Sequence, residues 1–145
     1  DATAIPTGEI LKVEGTPFDF RTPKPFGQDI NADHEQIKFG KGFDHNYVLN
    51  KREEGELSFA ARITDPKSGS TLECYTTEPG MQLYTANYAT GYKGANGCTF
   101  PYRSAVCLET QHFPDTTNHP YFPSVILRPG QTYKHKTIYR FGIVE

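Results

Sequence analysis

The stretch "CLETQHFPDTTNHP", residues 107–120, holds one glutamate, one aspartate, two histidines and two prolines within fourteen positions. Residue types of this kind serve acid/base catalysis, metal binding or an ordinary polar loop. His112, Asp115 and His119 place donor atoms within eight residues, but their spacing matches no familiar ligand pattern. Neighbouring prolines also hold the backbone extended and splay the side chains, so no metal centre is expected. Glu109 stands between Leu108 and Thr110 in an otherwise apolar segment. It is either the polar face of an edge strand or a carboxylate aimed into a cleft. Two further clusters carry polar groups beside apolar runs, "GFDHN" at 42–46 and "TTEPGMQLYTAN" at 76–87. Asp44 can close a turn by accepting from nearby backbone N–H groups, or it can accept from a ligand hydroxyl. Gln82, between Met81 and Leu83, is a solvent-facing strand residue or an amide able to both donate and accept. No Ser or Cys lies in a nucleophile elbow, and no glycine-rich phosphate loop occurs.

These side chains need a frame, and the punctuation of the chain says which. Thirteen glycines and eleven prolines spread along 145 residues break it into short segments, which suits strands and turns better than long helices. β-Branched and aromatic residues, often alternating, mark strands at "YVLN" (47–50), "LSFAARIT" (57–64), "STLECYTT" (70–77) and "MQLYTAN" (81–87). "DPKSG" at 65–69 predicts a hairpin turn between two of them. "AVCLET" (105–110), "SVILRPG" (124–130) and a long terminal run "TYKHKTIYRFGIV" (132–144) read as further strands. The first 45 residues carry few strand signals, a short helical piece near "PFGQDI" excepted, and are expected as ordered loops over a sheet. The fold class is therefore all-β, a sandwich or barrel, with residues 1–145 forming a single domain.

Composition excludes several function classes. With 36% apolar and 22% charged residues and a net charge of −2, the chain reads as a soluble globular protein. Lys and Arg form no basic block longer than the pair Lys51-Arg52, so neither nucleic acid nor anionic lipid is an expected partner. No apolar run approaches the length of about 18 residues needed to span a membrane. The start "DATAIPTGEI" has no basic segment followed by an apolar one. Three widely spaced cysteines, Cys74, Cys98 and Cys107, without a C-x-x-C, point to reduced, buried thiols and a cytoplasmic location. A neutral small molecule is the expected partner. Nine Tyr and ten Phe should mainly fill the core.

Taken together, "IPTGEI", "VEGTPFDFR", "GFDHNYVL", "SGSTLECYTTEPGMQLYTAN", "CLETQHFPDTTNHPYFPSVILRPGQTY" and "TIYRFGIV" resemble the aldose 1-epimerase (galactose mutarotase) family over nearly the whole chain. The resemblance implies a large antiparallel β-sandwich, the galactose mutarotase-like supersandwich, with this chain as its C-terminal portion. It also implies interconversion of the α and β anomers of a free hexose such as glucose or galactose, with no cofactor. Glu109 matches the family's catalytic base, which takes the proton from the anomeric hydroxyl while an acid protonates the ring oxygen. Asp44 and Gln82 match substrate-contacting positions that hold sugar hydroxyls.

In one respect the chain departs from the family. The histidines that serve as general acid and its neighbour, with a substrate-binding Asn-Arg pair, lie in the half that precedes "IPTGEI". None of His34, His45, His112, His119 and His135 stands in the corresponding motif. The chain is therefore expected to be the C-terminal piece of a longer epimerase, its strand edges covered by an N-terminal half or a second copy. The alternative is a natural short relative that keeps the sandwich as a non-catalytic carbohydrate-binding or structural module. Action on a phosphorylated hexose would need basic groups at the cleft, for which Lys93, Arg103 and Arg128 are the candidates.

Overall fold

In the computed structural model, which describes residues 1–144, the turn "DPKSG" forms as its residue types demand. Asp65 Oδ1 accepts the N–H of Lys67 at 3.1 Å and Oδ2 that of Ser68 at 3.2 Å. The Asp65 N–H closes on the carbonyl of Ser70 at 2.9 Å. Gly69 sits at φ +74°, a conformation that side chains other than glycine rarely adopt. This turn joins β2 (Ser58–Thr64) to β3 (Ser70–Thr76), and β8 (Thr137–Ile143) pairs with the other edge of β3. Both ladders are antiparallel, with one bulge between Phe59 and Ala61 on β2. Glu73 lies directly opposite Arg62 on one side and Arg140 on the other. It forms ion pairs with both, which hold its carboxyl below the usual carboxylate range together with the Tyr75 hydroxyl.

A second three-stranded sheet has the order β1 (Asp44–Val48), β4 (Gly80–Tyr84), β7 (Cys107–Gln111). A small antiparallel ribbon pairs β5 (Tyr92–Lys93) with β6 (Thr99–Phe100). The chain divides into two compact units, one of Asp1–His45 with Leu83–Cys107, the other of Asn46–Gln82 with the residues from Leu108 onward. In the first, the fully buried ring of Phe43 is met by Phe18, Phe20 and Phe26 at centroid distances of 5.9, 5.1 and 6.0 Å. In the second, Cys74, Met81, Leu108, Phe113 and Phe122 are buried, with the rings of Phe113 and Phe122 edge to face at 5.1 Å.

The all-β, antiparallel expectation holds, with four corrections. "SVILRPG" is not a strand: Val125, Ile126 and Leu127 are 47, 62 and 57% exposed. β-Propensity needs a neighbouring strand to express itself, and Pro123 and Pro129 bracket this run, each lacking the N–H a ladder uses. The terminal strand begins only at Thr137, the residue opposite Thr76, where its partner β3 ends. The loop-like N-terminal segment contains, besides α1 (Phe26–Asp29), a second helix α2 (Glu35–Gly40), whose N-cap is a histidine: His34 Nδ1 accepts the N–H of Gln36 at 3.2 Å. Of the three thiols, Cys74 is buried but Cys98 is exposed.

Candidate active site

The backbone that delivers Asp44 is fixed before the strand begins. Lys41 caps the end of helix α2 in the left-handed conformation, and Gly42 follows at φ +138°. A side chain there would be strained and would collide with the Asn87 amide. Asn87 Nδ2 donates to the carbonyls of Gly40 and Phe43, both at 2.8 Å. Thr85 Oγ1 accepts the Phe43 N–H at 3.2 Å and donates to Asn87 Oδ1 at 2.7 Å. Buried Thr85 and Asn87 thus clasp the turn, and Asp44 opens β1 from a fixed point, half-buried.

His45, next along, is a structural residue. Its Nδ1 accepts the Asp44 N–H at 3.0 Å, so the proton sits on Nε2, which donates to the Gln36 carbonyl at 3.1 Å. Burial pushes its pKa below the ordinary value, and the ring packs against Phe18 at 4.5 Å. A neutral imidazole with both nitrogens engaged in this way is poorly suited to donate a proton.

In β4 the alternation places Met81 and Leu83, 4 and 6% exposed, on one face and half-buried Gln82 on the other. Gly80 allows close packing two residues earlier. A Cβ there would lie 2.9 Å from both Asn46 Oδ1 and Phe113 Cδ1.

Glu109 is positioned by what happens on either side of it. The carbonyl of Leu108 accepts from the Tyr139 hydroxyl at 2.6 Å. Thr110 Oγ1 and Thr137 Oγ1 share a hydrogen bond of 2.6 Å. Just past the strand end, His112 Nδ1 meets Glu78 Oε2 at 2.6 Å. Alternate residues 108, 110 and 112 are thus tied down, and period-two alternation sends the intervening Glu109 side chain to the opposite face. There it is exposed, on an edge strand of its sheet. Gln82 and Glu109 stand in the same unit on neighbouring strands, whereas Asp44 belongs to the other unit.

The remaining charged groups go elsewhere. His112 turns to Glu78, while His119 Nε2 faces Asp115 Oδ2 at 3.5 Å, so His112, Asp115 and His119 do not converge. Asp115, at φ +59°, starts a single 3₁₀ turn (Thr116–Asn118) and accepts from the Asn118 side chain. Arg103 is committed to its own surroundings, donating to Asn31 Oδ1 at 2.8 Å and to the Lys41 carbonyl at 2.6 Å. Lys93 and Arg128 are exposed. Glu78 escaped the sequence reading: 2% exposed, it bonds His112, Tyr133 and His135. Those partners are so distant along the chain that no local pattern announces them.

The aldose 1-epimerase family pattern matches residues 1–140. Galactose mutarotases of Mus musculus and Homo sapiens are each 46% identical to it over 144 residues, 99% of this chain and 40% of theirs. The aldose 1-epimerase of Escherichia coli is 35% identical over 145 residues, 41% of its own length. The crystal structure of an aldose epimerase homologue from C. elegans superposes with a TM-score of 0.85 at 31% identity, covering all of this chain and 42% of that one. A galactose 1-epimerase from Lactobacillus acidophilus gives 0.79 at 25% identity. The chain spans about 40% of the length of the curated mutarotases it matches. In sequence and in fold, from "IPTGEI" to "TIYRF", it belongs to the aldose 1-epimerase family.

Proposed function

We propose that this chain is the C-terminal, base-bearing part of a longer mutarotase that interconverts the α and β anomers of a free hexose. The observation that carries this reading is the presentation of Glu109: family motif "CLETQ" on an edge strand, its carboxylate on the face opposite three anchored neighbours. In the proposed reaction Glu109 accepts the proton of the anomeric hydroxyl as an acid protonates the ring oxygen. The bond from C1 to the ring oxygen breaks and a C1 carbonyl forms. Rotation about C1–C2 presents the other carbonyl face, the ring hydroxyl adds back, and Glu109 returns its proton. Asp44 and Gln82 hold sugar hydroxyls, fixing the ring while it opens.

None of the described histidines suits the acid role in this scheme, so the acid comes from polypeptide preceding this chain. The same polypeptide, with the bound sugar, covers Glu109 and dries the cleft around it. Three free thiols, with Cys74 buried and its pKa raised by desolvation, favour a cytosolic setting. Polarimetry on freshly dissolved α-galactose and α-glucose is the test. The complete polypeptide should speed the approach to rotational equilibrium. Sugar binding without any acceleration would reduce the chain to a carbohydrate-binding module.

A further inference from the structure

Glu78 takes no part in the acid/base scheme, yet its carboxylate is the hub of the unit that carries Glu109. At 2% exposure, both oxygens are engaged: Oε2 with His112 Nδ1 at 2.6 Å, Oε1 with the Tyr133 hydroxyl at 2.7 Å and His135 Nδ1 at 3.3 Å. The rings of Tyr133 and His135 stack at 5.2 Å. Its backbone N–H donates to Thr76 Oγ1 at 3.0 Å, and Thr76 Oγ1 lies 3.1 Å from Thr137 Oγ1, the partner of Thr110. A carboxylate taken out of water is costly unless fully paired, and apolar packing would stabilise the same space more cheaply. What a directional hub adds is geometry.

Resting on the assignment of Glu109 as base, we infer that Glu78 is a positioning residue for the reaction, acting through His112. His112 lies three residues after Glu109, where β7 ends and the chain turns at Phe113 and Pro114. The Tyr139 and Thr137 contacts hold β7 along its length, and Glu78 holds its exit. A strand loosened there can twist or slip, and a slip of one residue would turn Glu109 to the wrong face. Glu78 also stands four residues before Gln82, joined to it through Pro79, Gly80 and Met81. One buried carboxylate therefore ties the strand bearing the base to the strand bearing a sugar-binding amide, and fixes their separation.

The test uses the complete polypeptide, with turnover and KM measured on α-galactose and folding followed by circular dichroism. Glu78→Ala and His112→Leu should each lower kcat about tenfold or more, because small misplacements of a reacting group cost up to about 10²-fold. KM should stay within about twofold, because Asp44 and Gln82 are retained. His112→Gln, which keeps a donor for the Glu78 carboxylate, should recover most of the lost kcat. If Glu78→Ala does not fold, the His112→Leu and His112→Gln pair decides. Wild-type kcat in the folded variants, with Glu109→Gln inactive in the same assay, overturns the positioning role and leaves the base assignment intact. Turnover retained by Glu109→Gln overturns both.

Discussion

Two histidines of this chain are held by opposite chemistry, and each has a measurable consequence. His112 presents a ring nitrogen to a buried carboxylate, whereas His45 accepts a backbone N–H and donates to a carbonyl with its ring packed against Phe18. Burial lowers the His45 pKa in the folded chain from its ordinary 6.5. Between the folded and unfolded values the unfolded chain binds more protons, so stability rises with pH. The His45 contribution is complete above about pH 6.5 and is lost as pH falls through the folded value. The thermal midpoint should therefore drop from about pH 7 to about pH 5, and His45→Gln should flatten that slope. An unchanged slope in the variant would mean that His45 does not titrate with unfolding. At this scale a residue was legible as a candidate where a contiguous motif carried it, as for Asp44, Gln82 and Glu109. Glu78 was not, since its meaning lies in side chains 34 to 57 residues away along the chain.

Among the elements, the hairpin and its two strands could be read directly, because "DPKSG" and the alternating runs on either side are local signals. "SVILRPG" shows the limit of such reading, as strand-forming residues stay irregular where no neighbouring strand pairs with them. Close approach between elements is equally invisible in sequence, and Gly80 is the clearest case. It lets Phe113 and Asn46 meet the β4 backbone where a methyl group would stand 2.9 Å from each. Gly80→Ala must displace the Phe113 ring, which follows His112, and should cost about 1–3 kcal/mol. Thermal or denaturant unfolding measures this directly. An alanine variant as stable as the parent would mean that the segment after β7 moves aside freely, against the rigid delivery of Glu109.

On the scale of the molecule, the sheet β2-β3-β8 ends in an edge strand with a conspicuously apolar surface. Phe141 and Ile143 are 79 and 77% exposed. Unpaired strand edges that carry such residues invite association. The proposed preceding polypeptide would cover them, in keeping with a chain that spans about 40% of its mutarotase relatives. Sedimentation of the isolated 145-residue chain should show self-association, and a stable monomer would argue against the proposed covering. Proton transfer by Glu109 is put to the test by Glu109→Gln in the complete polypeptide, with polarimetry for turnover and calorimetry for sugar binding. Acceleration of mutarotation should fall to near the uncatalysed rate while galactose still binds. Undiminished turnover in that variant would mean that another group takes the proton.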